Sequence, residues 1–276
     1  MNKFIYLRKS CDWSNIESIG DYEIQNFHSR KLIKDWMPDL IIGIKIWNKI
    51  FNTSFFEMRQ KIKKISYESI CGTNTKIIHK NEAKDLLEKN DFLLYLSDDD
   101  DWVKNNLFNI ITERYNKNIG LYIWPTYRLG HKIRLHSLDK EIDGIRWTYT
   151  NNCVLTKKGF DILYQKIGNL DFLEDHRLMD QHSEDIEKYL LPKFYLSVYN
   201  QTPLSATQIW HSVHFYQNEQ EIEQNLLEKI KKYKHLYKKD ALPNDLAWCE
   251  KYFVEYCDVI ENLNCIDKSR QSIKLI

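Results

Sequence analysis

The sequence predicts an α/β fold: a mixed, mainly parallel sheet flanked by helices and followed by a C-terminal helical pair. Two short apolar runs, at residues 3–7 (KFIYL) and 92–96 (FLLYL), are bounded by polar or charged residues, as buried central strands are. Helical patterns lie between the predicted strands, and this alternation favours a sheet covered on both faces. In such sheets, ligands bind beyond the carboxyl ends of the strands.

Further elements follow from the same kind of pattern. Residues 119–124 and 194–199 are rich in aromatic and β-branched side chains, which suit strands. Apolar side chains recur at helical spacing over residues 107–111, and Asp101 is placed to cap that helix. The expected order at this point of the chain is therefore strand, acidic turn, helix.

The C-terminal part of the chain predicts two helices. An apolar stripe runs from Ile222 to Tyr237 at helical spacing, and a second amphipathic pattern begins near Pro243. The sequence has no repeat and no Pro/Gly-rich linker. We therefore expect residues 1–218 to form one α/β domain and residues 219–276 to form a helical extension packed on it.

Size and composition exclude several classes of protein. The 276 residues are 43% hydrophobic, which is enough for a sizeable core and excludes a disordered chain. The 40 basic and 39 acidic residues leave a net charge of +1, so we expect no nucleic-acid partner. Any functional charge must be local.

Cysteine usage and hydropathy predict the compartment. The six cysteines contain no CxxC pair, so we expect buried free thiols and neither a zinc knuckle nor a redox motif. No apolar run reaches the length of a secretory signal or a membrane span. These patterns predict no transmembrane segment and a cytoplasmic location, with peripheral attachment to a membrane left open.

The most specific signal is the acidic turn, which we define as residues 98–101 (DDDD). Four neighbouring carboxylates repel one another, and their ionisation is costly unless a cation neutralises them. Mg²⁺ or Mn²⁺ would accept carboxylate oxygens while keeping coordination sites for phosphate. The alternative is a solvated, helix-capping turn without a ligand.

The segment FLLYLSDDDDWVKNNLF resembles the DxD region of GT-A-fold glycosyltransferases. It is most similar to DDDD-containing sequences of the bacterial and viral rhamnosyltransferase type and, more loosely, to family 2 glycosyltransferases. The resemblance extends over residues 90–215. It implies a GT-A-like fold, a Mn²⁺ or Mg²⁺ cofactor, a nucleoside-diphosphate sugar donor, and a hydroxyl acceptor on a glycan, glycolipid or glycoprotein.

The resemblance also implies roles within the turn. Asp98 would contact the ribose or base side of the nucleotide, and Asp100 would bind the metal that bridges the phosphates. The pair Asp99 and Asp101 has the same spacing, so the alternative register gives these two residues the nucleotide and metal roles instead.

A catalytic base is expected about seventy residues later. Glu174 and Asp175 resemble the acidic pair of family 2 enzymes, in which a carboxylate takes the proton of the acceptor hydroxyl. Asp175 is the first candidate and Glu174 the second. The alternative is that both residues stabilise the start of a helix.

Two histidines complete the predicted metal shell. His211 and His214 lie one helical turn apart if their segment is helical, and many GT-A enzymes use a late histidine as a metal ligand. The alternative is that either histidine is a structural residue with satisfied hydrogen bonds.

Basic and aromatic residues supply the remaining candidates. Arg8 follows the first predicted strand, and Arg59 and Lys64 (with Lys63) could balance a diphosphate, although a solvated helix face also explains this second group. Trp124, Arg128 and Asn152 could line an acceptor site, although core packing explains most tryptophans of this chain.

Two other functions use acidic metal ligands. Nucleotidyltransferases have a related fold, but they often carry a Gly-rich phosphate loop, which this sequence lacks. A non-catalytic module could hold Ca²⁺ in the turn, but the spacing is unlike that of an EF-hand loop. The sequence therefore favours a glycosyltransferase.

Overall fold

The computed structural model describes residues 1–8, 31–130, 132–136, 138, 141–142, 145–146, 150–174, 176–200, 202–203, 205–216 and 218–266. These residues form an α/β structure with mixed sheets, which confirms the predicted α/β class. The sheets are not mainly parallel, because antiparallel pairings are at least as frequent as parallel ones among the described strands. None of the helices in these ranges is long and apolar enough to cross a membrane. The cysteines within these ranges are free thiols; Cys153, Cys249 and Cys257 are buried as predicted, whereas Cys71 and Cys265 are exposed.

The strands are short and occur along most of the chain. They are β1 (Asn2–Leu7), β2 (Lys76–Ile78), β3 (Phe92–Ser97), β4 (Trp102–Val103), β5 (Leu121–Ile123), β6 (Thr126–Leu129), β7 (Ile133–His136), β8 (Glu141–Ile142), β9 (Ile145–Arg146), β10 (Cys153–Thr156), β11 (Lys188–Leu190) and β12 (Ser197–Asn200).

The helices lie between and after these strands. They are α1 (Lys31–Ile50), α2 (Phe55–Cys71), α3 (Lys80–Lys89), α4 (Leu107–Thr112), α5 (Lys157–Ile167), α6 (His176–His182), α7 (Ala206–His214), α8 (Glu219–Leu236) and α9 (Glu250–Glu261). Short 3-10 turns occur at Thr150–Asn152, Asp171–Leu173 and Asn244–Cys249.

The first sheet has six strands in the order β11-β5-β10-β3-β1-β2. The pairs β1/β2, β1/β3 and β5/β11 are parallel, whereas β10 runs antiparallel to both of its neighbours, β3 and β5. Every residue of β3 is buried, as its uninterrupted apolar sequence predicts. Apolar side chains cover both faces of this sheet and form two separate clusters.

The second sheet has four strands in the order β4-β12-β6-β7. The pair β12/β6 is parallel, and the pairs β12/β4 and β6/β7 are antiparallel. The acidic turn connects β3 of the first sheet directly to β4 of the second. It therefore lies where the two sheets meet.

Local sequence explains where several helices begin. Ser54 and Glu57 form a reciprocal capping box at the start of α2, and the side chains of Thr156, Ser205 and Asn218 cap α5, α7 and α8. The sequence predicted that Asp101 would cap the helix after the turn. This prediction is wrong, because β4 intervenes and α4 starts only at Leu107.

The predicted C-terminal helical pair consists of α8 and α9. The predicted second helix starts as a 3-10 turn at Asn244 and continues as α9 from Glu250. Both helices bury one apolar face in a core that they share with α1, α2, α7 and the second sheet. The extension and the rest of the chain therefore have a common hydrophobic core.

Candidate functional site

The acidic turn and Arg8 lie at the same edge of the first sheet because of strand register. Leu7 of β1 pairs with Ser97 of β3, and the two parallel strands end together. The backbone N–H of Arg8 donates to the carbonyl oxygen of Ser97 at 3.0 Å. Residues that follow the two strands are therefore neighbours, at the place where α/β sheets bind ligands.

The turn is buried rather than solvated. Asp99 and Asp100 are each 5% exposed, and Asp101 is fully buried. The side chain of Asp98 is 17% exposed. Because an uncompensated buried carboxylate costs several kcal/mol, the partners of these side chains determine what the turn can do.

Arg8 is the partner of Asp98. Its Nη2 lies 3.0 Å from Asp98 Oδ2, and its Nη1 donates to the carbonyl oxygen of Glu174 at 3.5 Å. Burial acts to lower the pKa of the Arg8 guanidinium, but the nearby carboxylates of Asp98, Asp101 and Glu174 raise it overall. Arg8 is therefore a fixed positive charge at the end of β1.

Arg59 of α2 neutralises the middle of the turn. Its Nη1 donates to Asp100 Oδ2 at 2.8 Å, and its Nη2 donates to Asp99 Oδ1 at 2.5 Å. The side chain is only 4% exposed because it lies on the face of α2 that also buries Met58 and Ile62. One guanidinium thus bridges two adjacent carboxylates.

Asp101 holds the turn in place through neutral donors. Its Oδ2 accepts from Asn151 Nδ2 at 3.0 Å, and its Oδ1 accepts from the backbone N–H of Asn200 at 3.0 Å. Ser66 Oγ also donates to the backbone carbonyl of Asp101. Burial raises the pKa of Asp101, and the carboxylates of Asp98 and Asp100 raise it further.

The Asp100 carboxyl titrates near neutrality. Burial raises its pKa to about 7; Arg59 acts in the opposite direction, and Asp99 and Asp98 add to the increase. The backbone carbonyl of Asp100 accepts from Asn200 Nδ2 at 2.7 Å, so β12 also supports this part of the turn.

Glu174 lies beside Arg8, and Asp175 lies outside the described residues. The Tyr6 hydroxyl donates to Glu174 Oε1, and Glu174 is 7% exposed. Burial and the carboxylate of Glu174 raise the pKa of Tyr6, so this hydroxyl stays protonated. The structure thus brings the second base candidate to the same edge of the sheet as the acidic turn.

The two histidines lie on α7 and have local partners. His214 Nδ1 lies 3.1 Å from Asp39 Oδ2, and its ring stacks on Trp210 with centroids 4.4 Å apart. The ring of His211 stacks on Phe215. Within the described ranges no group of three or more His, Cys, Asp and Glu side chains is placed to hold a metal, so neither histidine completes a three-ligand shell with the turn.

The predicted diphosphate contacts on α2 differ in exposure, and the predicted acceptor contact Trp124 is buried. Lys64 and Lys63 are exposed on α2, whereas Arg59 of the same helix is buried. Trp124 is fully buried: its Nε1 donates to Ser197 Oγ at 2.9 Å, and its ring stacks on Tyr95, so the core covers the face that a sugar would need.

Arg128 lies on β6 of the second sheet, and Asn152 ends the 3-10 turn that precedes β10. The Arg128 guanidinium carbon is 5.8 Å from the centroid of the Tyr199 ring. Asn152 is buried and donates from Nδ2 to the carbonyl oxygen of Trp124 at 2.9 Å. Asn152 therefore supports the loop after β5.

The sequence did not identify Asn200, Ser66 or Tyr6 as parts of the site. Asn200 is the polar residue that ends β12, and the same signal, a polar residue at a strand end, identified Arg8. Ser66 and Tyr6 carry no such signal because they lie within α2 and β1. Only the packing of these elements brings them to the turn.

The site carries more carboxyl groups than positive side chains, although no three of its carboxylates converge as a metal shell within the described residues. Arg8 and Arg59 supply two positive charges, whereas the acidic turn and Glu174 carry five carboxyl groups. Asn151 Oδ1 and Asn200 Oδ1 are buried and have no hydrogen-bond partner among the described residues, although the amide nitrogens of both side chains bind the turn. Carboxylate and amide oxygens are the ligands that Mg²⁺ and Mn²⁺ prefer.

Comparison with protein-family models and with curated proteins finds no match to this chain.

Proposed function

We propose that this protein is a metal-dependent glycosyltransferase with a GT-A-like fold, which moves a sugar from a nucleoside-diphosphate sugar to a hydroxyl of a glycan, glycolipid or glycoprotein. The observation that supports it most is a buried acidic turn at the shared end of two parallel strands, flanked by two buried arginines. A site for a metal diphosphate needs both carboxylates for the cation and guanidinium groups for the phosphates.

The number of available carboxylates agrees with a metal-diphosphate site. Mg²⁺ and Mn²⁺ in phosphate-transfer sites are commonly bound by one or two carboxylates together with substrate phosphates. Asp100 is the proposed metal ligand and Asp98 the proposed nucleotide contact; the alternative register, with Asp101 on the metal, is disfavoured because both oxygens of Asp101 already accept hydrogen bonds. Once bound, the metal would neutralise the charge that develops on the departing diphosphate.

The surrounding side chains have separate tasks. Arg8 orients Asp98 and contributes positive charge near the nucleotide. Asp175 is the first candidate and Glu174 the second for the base that accepts the proton of the acceptor hydroxyl. The hydrogen bond from Tyr6 positions the Glu174 carboxylate. Arg128, half-buried on β6, is the proposed acceptor contact.

Slow hydrolysis of a nucleotide sugar tests this function. We expect the full chain with Mn²⁺ to hydrolyse one donor from a panel of nucleoside-diphosphate sugars. Asp100→Asn should lower this rate by about a hundredfold or more, because the neutral amide cannot offset the metal charge. Release of nucleoside diphosphate is the measurement.

Asp91→Asn is the matched control. Asp91 is exposed and lies just before β3, at the opposite end of the strand from the turn. This variant should retain the wild-type rate. Unchanged turnover by Asp100→Asn in a folded protein would contradict the proposed function.

A further inference from the structure

We infer that Arg59 is an exchangeable counterion of the acidic turn. It neutralises Asp99 and Asp100 while no donor is bound, and it moves to the diphosphate when a metal occupies the carboxylates. This inference rests on the proposed function and describes how the site selects a metal diphosphate over a free metal ion.

The first support is that Arg59 binds the carboxylate of the proposed metal ligand Asp100. Its two terminal nitrogens lie 2.8 Å from Asp100 Oδ2 and 2.5 Å from Asp99 Oδ1. A guanidinium and a divalent cation at the same carboxylate repel each other. A metal that binds Asp100 therefore competes with the Arg59 head group.

The second support is that α2 is attached to this part of the chain independently of Arg59. Ser66 Oγ donates to the carbonyl oxygen of Asp101, and Ser69 Oγ accepts from the backbone N–H of Val103 at 3.2 Å. These bonds link α2 to the last residue of the acidic turn and to β4. An exchange of the Arg59 partner would leave both attachments in place.

The third support is the chemistry of the ligand. A displaced buried guanidinium needs a new anionic partner, because an unpaired buried charge is strongly unfavourable. A free metal ion brings no such partner, whereas a metal diphosphate brings phosphate oxygens that match the guanidinium fork. The unpartnered amide oxygens of Asn151 and Asn200 at the same turn leave further ligands for the cation.

Two binding measurements on the full chain test the exchange. Mn²⁺ binding is measured by electron paramagnetic resonance, first with Mn²⁺ alone and then with inorganic pyrophosphate, which avoids any assumption about the nucleobase. Arg59→Met should bind Mn²⁺ alone about tenfold more tightly than wild type, because the competing cation is gone. The same variant should bind pyrophosphate in the presence of Mn²⁺ about tenfold more weakly, because a phosphate partner is gone.

Lys61→Met is the matched control, since it removes one positive charge from the exposed face of the same helix. It should stay within about twofold of wild type in both measurements. If Arg59→Met does not fold, Arg59→Lys is measured in its place. A lysine keeps the charge but cannot bridge two carboxylates, so we expect changes of the same sign and about threefold size.

The two opposite changes distinguish exchange from a structural role. If a folded Arg59 variant binds both ligands more weakly, or behaves like Lys61→Met, the exchange is refuted while donor turnover by wild type still supports the proposed function. If wild type binds neither Mn²⁺ nor Mn²⁺ with pyrophosphate, the proposed function and the exchange fail together.

Discussion

At the scale of single residues, the four neighbouring aspartates differ in environment because three separate sets of groups bind them. In residues 98–101 the first aspartate pairs with Arg8, the second and third share Arg59, and the fourth accepts hydrogen bonds from amide groups. The charge-neutralising partners lie on β1 and α2, which are distant along the chain. The fourth aspartate is accordingly the most structural of the set.

Replacement of Asp101 tests this division of roles. Asp101→Ala would leave buried donors of Asn151 and Asn200 without an acceptor, so we expect a loss of about 2–4 kcal/mol in the free energy of unfolding. Asp101→Asn should lose less, because the unpartnered Oδ1 of Asn151 can accept from the new amide after a side-chain flip. Urea denaturation is the measurement, with Asp91→Asn as the control. A loss below about 1 kcal/mol for Asp101→Ala would contradict the role of Asp101.

At the scale of elements, α7 and α8 are joined by a half-buried amine as well as by apolar packing. Lys229 of α8 donates from Nζ to the carbonyl oxygen of Gln208 at 2.8 Å and to Ser212 Oγ at 2.6 Å. Burial lowers the pKa of Lys229 to about 8, and the positive charge of Lys232 adds to the shift. The packing of these two helices is therefore sensitive to pH.

The direction of this pH dependence follows from proton linkage. An unfolded lysine keeps its proton up to about pH 10, whereas native Lys229 loses it near pH 8. The unfolded state binds more protons in this window, so the contribution of Lys229 to stability increases as the pH rises from about 8 to about 10. Lys229→Met should flatten the stability profile there, relative to wild type.

Denaturation midpoints across this pH range provide the measurement. Lys231→Met, at an exposed position of the same helix, is the control and should keep the wild-type slope. An unchanged slope for Lys229→Met would show that the amine is not perturbed by burial.

At the scale of the whole molecule, the acidic turn connects the sheets and the C-terminal helices. Trp102 follows the turn, belongs to β4, and is 1% exposed. Its ring lies 6.2 Å from the ring of Tyr252 and 5.9 Å from that of Tyr256 on α9. Packing of the C-terminal pair therefore supports the position of the proposed metal ligand.

Removal of the Trp102 ring should affect stability and the site together. We expect Trp102→Ala to lose about 3–5 kcal/mol of stability through the cavity that it leaves. The same variant should weaken Mn²⁺-dependent pyrophosphate binding, because the turn loses its support. Trp210→Ala, at a half-buried position on α7, is the control and should leave ligand binding unchanged. Normal pyrophosphate binding by a folded Trp102→Ala variant would show that the turn does not depend on this packing.

Local patterns were sufficient to predict the α/β class, the strands β1, β3 and β5, and the C-terminal helical pair. Apolar periodicity and capping residues are properties of neighbouring positions, so the sequence expresses them directly. A strand was predicted at residues 194–199, and the observed strand β12 starts only at Ser197. The sequence did not predict β4, because a strand of two residues is too short to show an alternation of apolar and polar side chains. Without β4, the second sheet, which places Asn200 beside Asp101, was not predicted either.

Local sequence thus established that four carboxylates follow a buried strand, and it predicted either a divalent cation or a solvated turn. The partner of each carboxylate follows from the fold, since Arg59 comes from a helix and Asn200 from the second sheet. The same packing buried Trp124 in the core and placed His211 and His214 on α7 with their own partners. Charge repulsion arises between sequence neighbours, whereas the groups that neutralise it are brought together by folding.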